Sequence, residues 1–175
     1  MPVKSFEVWS IVEEAARLRR IATALPVAVR RAVGTLARRL PVAARRDMQQ
    51  EYNLPASRIN AGLTVSRTAG SVVLQGSKRG IGLVAYGARQ TKRGVVVSIL
   101  RGKTETWPEA FIAAGKNGNR QVFVRKGRER LPIDALYGSS IATMLRKPGR
   151  AERLADAAQQ VVSAEIARLA GGGAD

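Results

Sequence analysis

From Leu63 to Arg125 the chain is cut into short apolar runs by glycine-bearing polar stretches, set too close together for a helix to lie between strands. The runs are Leu63-Thr64-Val65, Ser71–Leu74, Ile81–Tyr86, Val95–Leu100, Ala110–Ala114 and Gln121–Arg125. They are separated by Gly70, by Gly76-Ser77-Lys78-Arg79-Gly80, by Thr91-Lys92-Arg93-Gly94 and by Gly115-Lys116-Asn117-Gly118-Asn119. The second separator reads as a basic hairpin tip and the last as a tight turn. Parallel strands need crossovers of roughly a dozen residues or more, so this spacing predicts antiparallel pairing and not βαβ units.

Both flanks switch to helical periodicity. Between Ser5 and Leu25 the positions Phe6, Trp9, Val12, Ala16, Arg17, Leu18 and Ile21 recur at helical spacing, and Ser10 with Glu13 has the spacing of a capping box. Pro26 is predicted to stop or restart this helix. A second helical stretch follows to Glu51, with Val29, Val33, Leu36, Ala37 and Leu40 as its apolar stripe, and Pro41 is predicted to kink or divide it. Asn53–Ser57 breaks the pattern, with Ser57 placed to cap a short turn. After Pro132 a short helical segment is predicted from Ser139 to Leu145. A last helix is predicted from Arg150 to Leu169, buried along Leu154, Ala158, Val161, Val162, Ile166 and Leu169 and ended by Gly171-Gly172-Gly173. The predicted fold class is α+β, an antiparallel β-sheet packed by N-terminal and C-terminal α-helices. Residues 1–52 would form a helical arm and residues 53–175 the α+β domain, the two being separate or continuous.

The residue inventory narrows the chemistry. Cysteine and histidine are both absent, which removes disulfides, thiolate metal sites, the commonest metal ligand and the commonest general base. Carboxylates in the middle region are few: Glu105, Glu109, Glu129 and Asp134. Glu129 sits between Arg128 and Arg130, and an acid among arginines is held ionised, the wrong direction for a general acid. The Gly76–Gly80 stretch could cradle a phosphate with its amides and two cations, but it lacks the spacing of a nucleotide-binding loop. No enzyme activity, cofactor or metal is expected. No apolar run is long enough to cross a bilayer, and the N-terminus, with acids inside its apolar part, does not read as a signal peptide.

Charge points to partners. The chain carries 30 basic and 13 acidic residues, a net charge of +17. Residues 51–150 hold eighteen of the basic residues against five acidic ones, while residues 151–175 are slightly acidic. A field of that size attracts polyanions and repels copies of itself. Nucleic acid, an acidic protein surface and anionic lipid all fit, although the helical stripes with their arginines lack the bulky aromatics of membrane-surface helices. Arg30-Arg31, Arg38-Arg39 and Arg45-Arg46 form either a phosphate-facing stripe or the solvated face of an amphipathic helix. Aromatic residues make up 5% of the chain, too few for a base-stacking platform, so any nucleic-acid contact would be with phosphates and blind to sequence.

Four short motifs occur in order: Trp107-Pro108-Glu109-Ala110-Phe111-Ile112, Lys116-Asn117-Gly118, Gln121–Arg125 and Arg130-Leu131-Pro132-Ile133-Asp134. In order and spacing they resemble the minor tail protein Z family of long-tailed phages. The helical N-terminus, with Leu25-Pro26 leading into an arginine-bearing helix, is similar as well; Trp107 departs from the glycine often found there. The resemblance implies a structural, non-enzymatic virion protein that completes the tail at or near its head-proximal end. It also implies a homo-oligomeric ring, often hexameric, around the DNA channel, with other tail or neck proteins as neighbours and assembly in the host cytoplasm. On that reading Lys78, Arg79, Lys92, Arg93, Arg125, Lys126, Arg128 and Arg130 are the candidate interaction residues, facing acidic tail proteins or the DNA-filled lumen. The alternative is a sequence-nonspecific nucleic-acid-binding protein. Co-purification with tail tubes favours the former, salt-dependent binding of free duplex DNA the latter.

Overall fold

The computed structural model describes residues 6–68, 70–115 and 117–171, with side chains from residue 26 to residue 168. The apolar pattern and capping-box spacing expected between Ser5 and Leu25, and the parts played by Lys116, Leu169, Gly172 and Gly173, lie outside the described residues or side chains. The elements are α1 (Phe6–Glu51), α2 (Ala56–Ala61), β1 (Leu63–Arg67), β2 (Val72–Gly76), β3 (Gly80–Gly82), β4 (Arg89–Thr91), β5 (Gly94–Val97), β6 (Glu105–Trp107), β7 (Ala110–Ala114), β8 (Arg120–Arg125), β9 (Ile133–Ala135), β10 (Tyr137–Ser140), α3 (Ile141–Leu145) and α4 (Arg150–Gly171). The fold is α+β.

Neither proline divides the first helix. Pro26 and Pro41 both lie inside α1, which runs unbroken for 46 residues. An interior proline costs a helix about 3 kcal/mol. At Pro41 packing before and after it in the chain offsets this, since α1 lies along α4 and buries Ala32, Ala44 and Met48. Pro26 stands where the described side chains begin and is exposed, two residues before the buried Ala28, and among the described residues nothing accounts for its tolerance.

The buried line of α1 also differs from the expected stripe. Ala28, Ala32, Ala44 and Met48 are buried, Val29 is exposed, and Val33, Leu36, Ala37 and Leu40 are half-buried. Alanine loses no rotamer freedom on burial, so it serves as core where two helices meet without standing out as apolar in sequence. On α4, Leu154, Ala158, Val161 and Val162 are half-buried as expected, whereas Ile166 is exposed.

Every strand pair is antiparallel, but the strands divide into small sheets ordered β1-β2, β10-β3, β4-β5-β6 and β7-β8-β9. Gly76–Gly80 is therefore not a hairpin tip. β2 pairs back on β1, while β3 pairs with β10, so the stretch crosses between sheets. Ser77 holds it in place, its N–H donating to the Gly62 carbonyl at 2.8 Å and its carbonyl accepting from the Ala142 N–H at 3.0 Å. The expected strand Ile81–Tyr86 stops at Gly82, and Leu83–Tyr86 forms a 3-10 turn ended by Gly87 at φ +75°. Residues i and i+3 of such a turn share a face, and here Leu83 and Tyr86 both enter the core. The Thr91–Gly94 and Ala114–Arg120 connections are both hairpins, the second as its tight-turn sequence predicts.

The core gathers Met48, Tyr52, Ile59, Leu83, Tyr86, Val95, Val97, Val122, Ile141 and Met144. Tyr86 is fully buried, and its hydroxyl donates to the Ser139 carbonyl at 3.1 Å. The end of α1 is stitched to the loop after β5: the Asn53 N–H donates to the Ile99 carbonyl at 2.9 Å and the Arg101 N–H to the Glu51 carbonyl at 2.8 Å.

Candidate interaction surface

The eight cations singled out in the sequence fall in three places. Lys92 and Arg93 form the two-residue turn between β4 and β5. Its end is fixed by Thr91 Oγ1, which donates to the Gly94 carbonyl at 2.9 Å and accepts from the Arg93 N–H at 3.2 Å. Arg125 closes β8, and Lys126, Arg128 and Arg130 occupy the exposed turn that leads to β9. Lys78 and Arg79 lie apart, exposed in the crossover beside α3.

The first two groups face a common cleft. Lys92, Arg125, Lys126 and Arg128 line an open depression of about 620 Å³ with an apolar part made by Pro108, Ala110 and Phe111. The Arg125 guanidinium stands over the Phe111 ring at 4.8 Å from its centre, and Phe111 in turn lies 6.0 Å from the Phe123 ring. The ring face attracts the cation there, and Arg125 remains exposed. Lys126 pairs with Asp134 at 3.0 Å, a solvent-exposed bridge of small energetic weight. Arg93 and Arg130 are outside the cleft lining, as are Lys78 and Arg79. Among the described residues, no group of three or more His, Cys, Asp or Glu is placed to hold a metal ion.

Sequence reasoning passed over the most connected ion-pair cluster among the described residues. Arg150, 1% exposed, opens α4 with a cation where the helix dipole disfavours one. Asp47 and Glu51 of α1 compensate: Nε of Arg150 donates to Asp47 Oδ2, Nη2 donates to Glu51 Oε2 at 3.1 Å, and Nη1 donates to the Met144 carbonyl. Arg153 adds Nε to Asp47 Oδ1 at 2.6 Å, and Lys147 pairs with Glu51. Arg153's hydrogen bond is the main reason the Asp47 carboxyl is held below its ordinary value, with Arg150 adding to it against the opposing effect of burial. Lys147 does the same for Glu51. The signal was present in the spacing: Asp47 and Glu51 are one helical turn apart, as are Arg150 and Arg153, so each pair shares a face. This cluster joins α1 to the start of α4 and is architectural.

In comparison with known proteins, a family described as prophage minor tail protein Z matches residues 16–168 of the chain. No curated protein matches, and no solved structure does.

Proposed function

Since this chain belongs to the prophage minor tail protein Z family and is thus a structural component of a phage tail, we propose that it is a tail-completion subunit at or near the head-proximal end, one of a ring of copies around the DNA channel. It acts by assembly and turns over no substrate. Other tail proteins are its partners, and no helix among the described residues is long and apolar enough to cross a membrane. The N-terminal part of α1 serves as a packing arm, and the strands contribute to the contact between copies.

The observation that carries this reading is the convergence of Lys92, Arg125, Lys126 and Arg128 on one cleft, where Glu109 is the only carboxylate among the described lining residues. A protomer of net charge +17 repels its own copies, so a ring of them requires anionic neighbours or DNA to offset that repulsion. Lys78, Arg79, Arg93 and Arg130 extend the same positive field beyond the cleft, toward acidic tail proteins or the lumen. The test is charge reversal in the phage genome at Lys92, Arg125 and Arg128. Separate heads and tails that fail to join, with the variant subunit still soluble and folded, support the reading. Normal yields of infectious particles contradict it.

A further inference from the structure

A second basic surface lies far from the cleft in chain order. Arg31 and Arg38 of α1, Arg67 at the end of β1 and Arg168 of α4 line an open groove of about 710 Å³. All four are exposed, and among the described residues Arg31, Arg38 and Arg67 have no ion-pair partner. The one carboxylate in the groove is already committed: Glu165 accepts from Thr35 Oγ1 at 3.2 Å and pairs with Arg168 at 3.1 Å. On the other side of Arg38 the adjoining groove between α1 and α4 adds Arg39 and Arg46.

Gly34 lies in the floor of the first groove. In mid-helix a glycine is unfavourable relative to alanine. Packing within this chain does not require it, because a Cβ built there meets nothing within 4 Å. What the missing side chain provides is a bare stretch of helix backbone between arginines, the arrangement that lets an external ligand approach closely.

We propose that this α1–β1–α4 groove is a sequence-blind binding site for the phosphodiester backbone of duplex DNA. Every cation in it is an arginine, whose fork of donors matches phosphate oxygens. Along α1 Arg31 and Arg38 of this groove are seven residues apart, and so are Arg39 and Arg46 of the adjoining one. That is about 10–12 Å of helix, or roughly three phosphates along one DNA strand. A repeating polyanion meets such a row better than a single acidic side chain does. The site depends on groove geometry alone, and it adds to the proposed position in the tail the face that meets DNA.

The test is fluorescence anisotropy of the full-length chain with a labelled duplex of arbitrary sequence, from roughly 50 to 200 mM salt. Arg31→Gln/Arg38→Gln/Arg67→Gln is expected to weaken binding about ten-fold or more and to reduce the slope of log K against log salt by about 2 to 3, near 0.9 for each phosphate no longer neutralised. Gly34→Glu, whose Cβ meets nothing within 4 Å, is expected to keep its thermal melt and to weaken binding likewise. Arg58→Gln/Arg101→Gln/Lys103→Gln removes the same charge elsewhere and leaves the slope near that of the unaltered chain. Equal losses in the groove and control variants would mean diffuse charge, and an unchanged groove variant would mean no site; either overturns the proposal. Binding of an acidic tail protein, and not DNA, through Arg31, Arg38 and Arg67 also overturns it. Salt-dependent duplex binding suits a free nucleic-acid-binding protein equally well, so the tail reading on which this site builds is tested separately, by placement at the head end of purified particles, and the two can fail independently.

Discussion

Arg150 and Asp47 stand 103 positions apart in the chain, yet the guanidinium of one donates directly to the carboxylate of the other in a site where Arg150 is 1% exposed. The Tyr52 ring lies beneath the same guanidinium at 5.9 Å. This pair fixes where α4 begins against α1, and Thr35 with Glu165 joins the same two helices again farther along. The two longest helices are thereby locked antiparallel, and the arginine groove owes its walls to that lock.

Removing Asp47 leaves the Arg150 charge buried with one carboxylate fewer. Asp47→Ala is expected to lower the unfolding free energy by roughly 3–5 kcal/mol, the range for breaking a buried pair by deleting one partner. Breaking the exposed Arg168–Glu165 pair by Arg168→Ala is expected to cost under about 1 kcal/mol. Urea denaturation of both variants measures the contrast. Similar midpoints for the two would contradict the assignment of Arg150 as the buried anchor.

Acid should weaken the same joint. The folded-state values of Asp47 and Glu51 are depressed below their ordinary 3.8 and 4.5. A carboxylate depressed on folding contributes stability that is complete above its unfolded value and is lost as pH falls through the folded one. The urea midpoint should therefore hold above about pH 5 and fall progressively below it. Asp47→Asn/Glu51→Gln should flatten that part of the curve while lowering its plateau. A variant with the same acid slope as the unaltered chain would place the responsible carboxylates elsewhere.

The β4–β5 turn depends on Gly94. Its φ is +119°, and a Cβ there would overlap the Trp107 carbonyl oxygen and sit 2.6 Å from that of Pro108. Gly94→Ala is expected to destabilise the chain by about 1–3 kcal/mol through backbone strain and to displace Lys92 from the cleft. Thermal melting measures the first effect. Gly102→Ala, at φ +76° with open space around it, should cost less.

Much of the fold could be read in the sequence because it was local. The β7–β8 hairpin, the short helix before Lys147 and the span of α4 all follow from turn residues and periodicity. The misreadings share a cause, which is tertiary packing overriding local preference. Pro41 stays in a helix because α1 is packed along α4. Leu83–Tyr86 leaves the extended state because two large side chains must enter the core from one face. Gly76–Gly80 looks like a hairpin tip, but Gly76 approaches the Ala142 backbone so closely that a Cβ would sit 2.7 Å from its nitrogen, and the chain crosses to another sheet. The surface was legible as charge but not as shape. Nothing local shows that Lys92 meets Arg125 and Arg128, or that Arg67 of a strand completes a groove begun by Arg31 and Arg38.

The most direct measurement is immunogold electron microscopy of purified virions, using an antibody to this chain. The account predicts label at the junction of head and tail. Intact particles without label, or label confined to the distal tip, would contradict it.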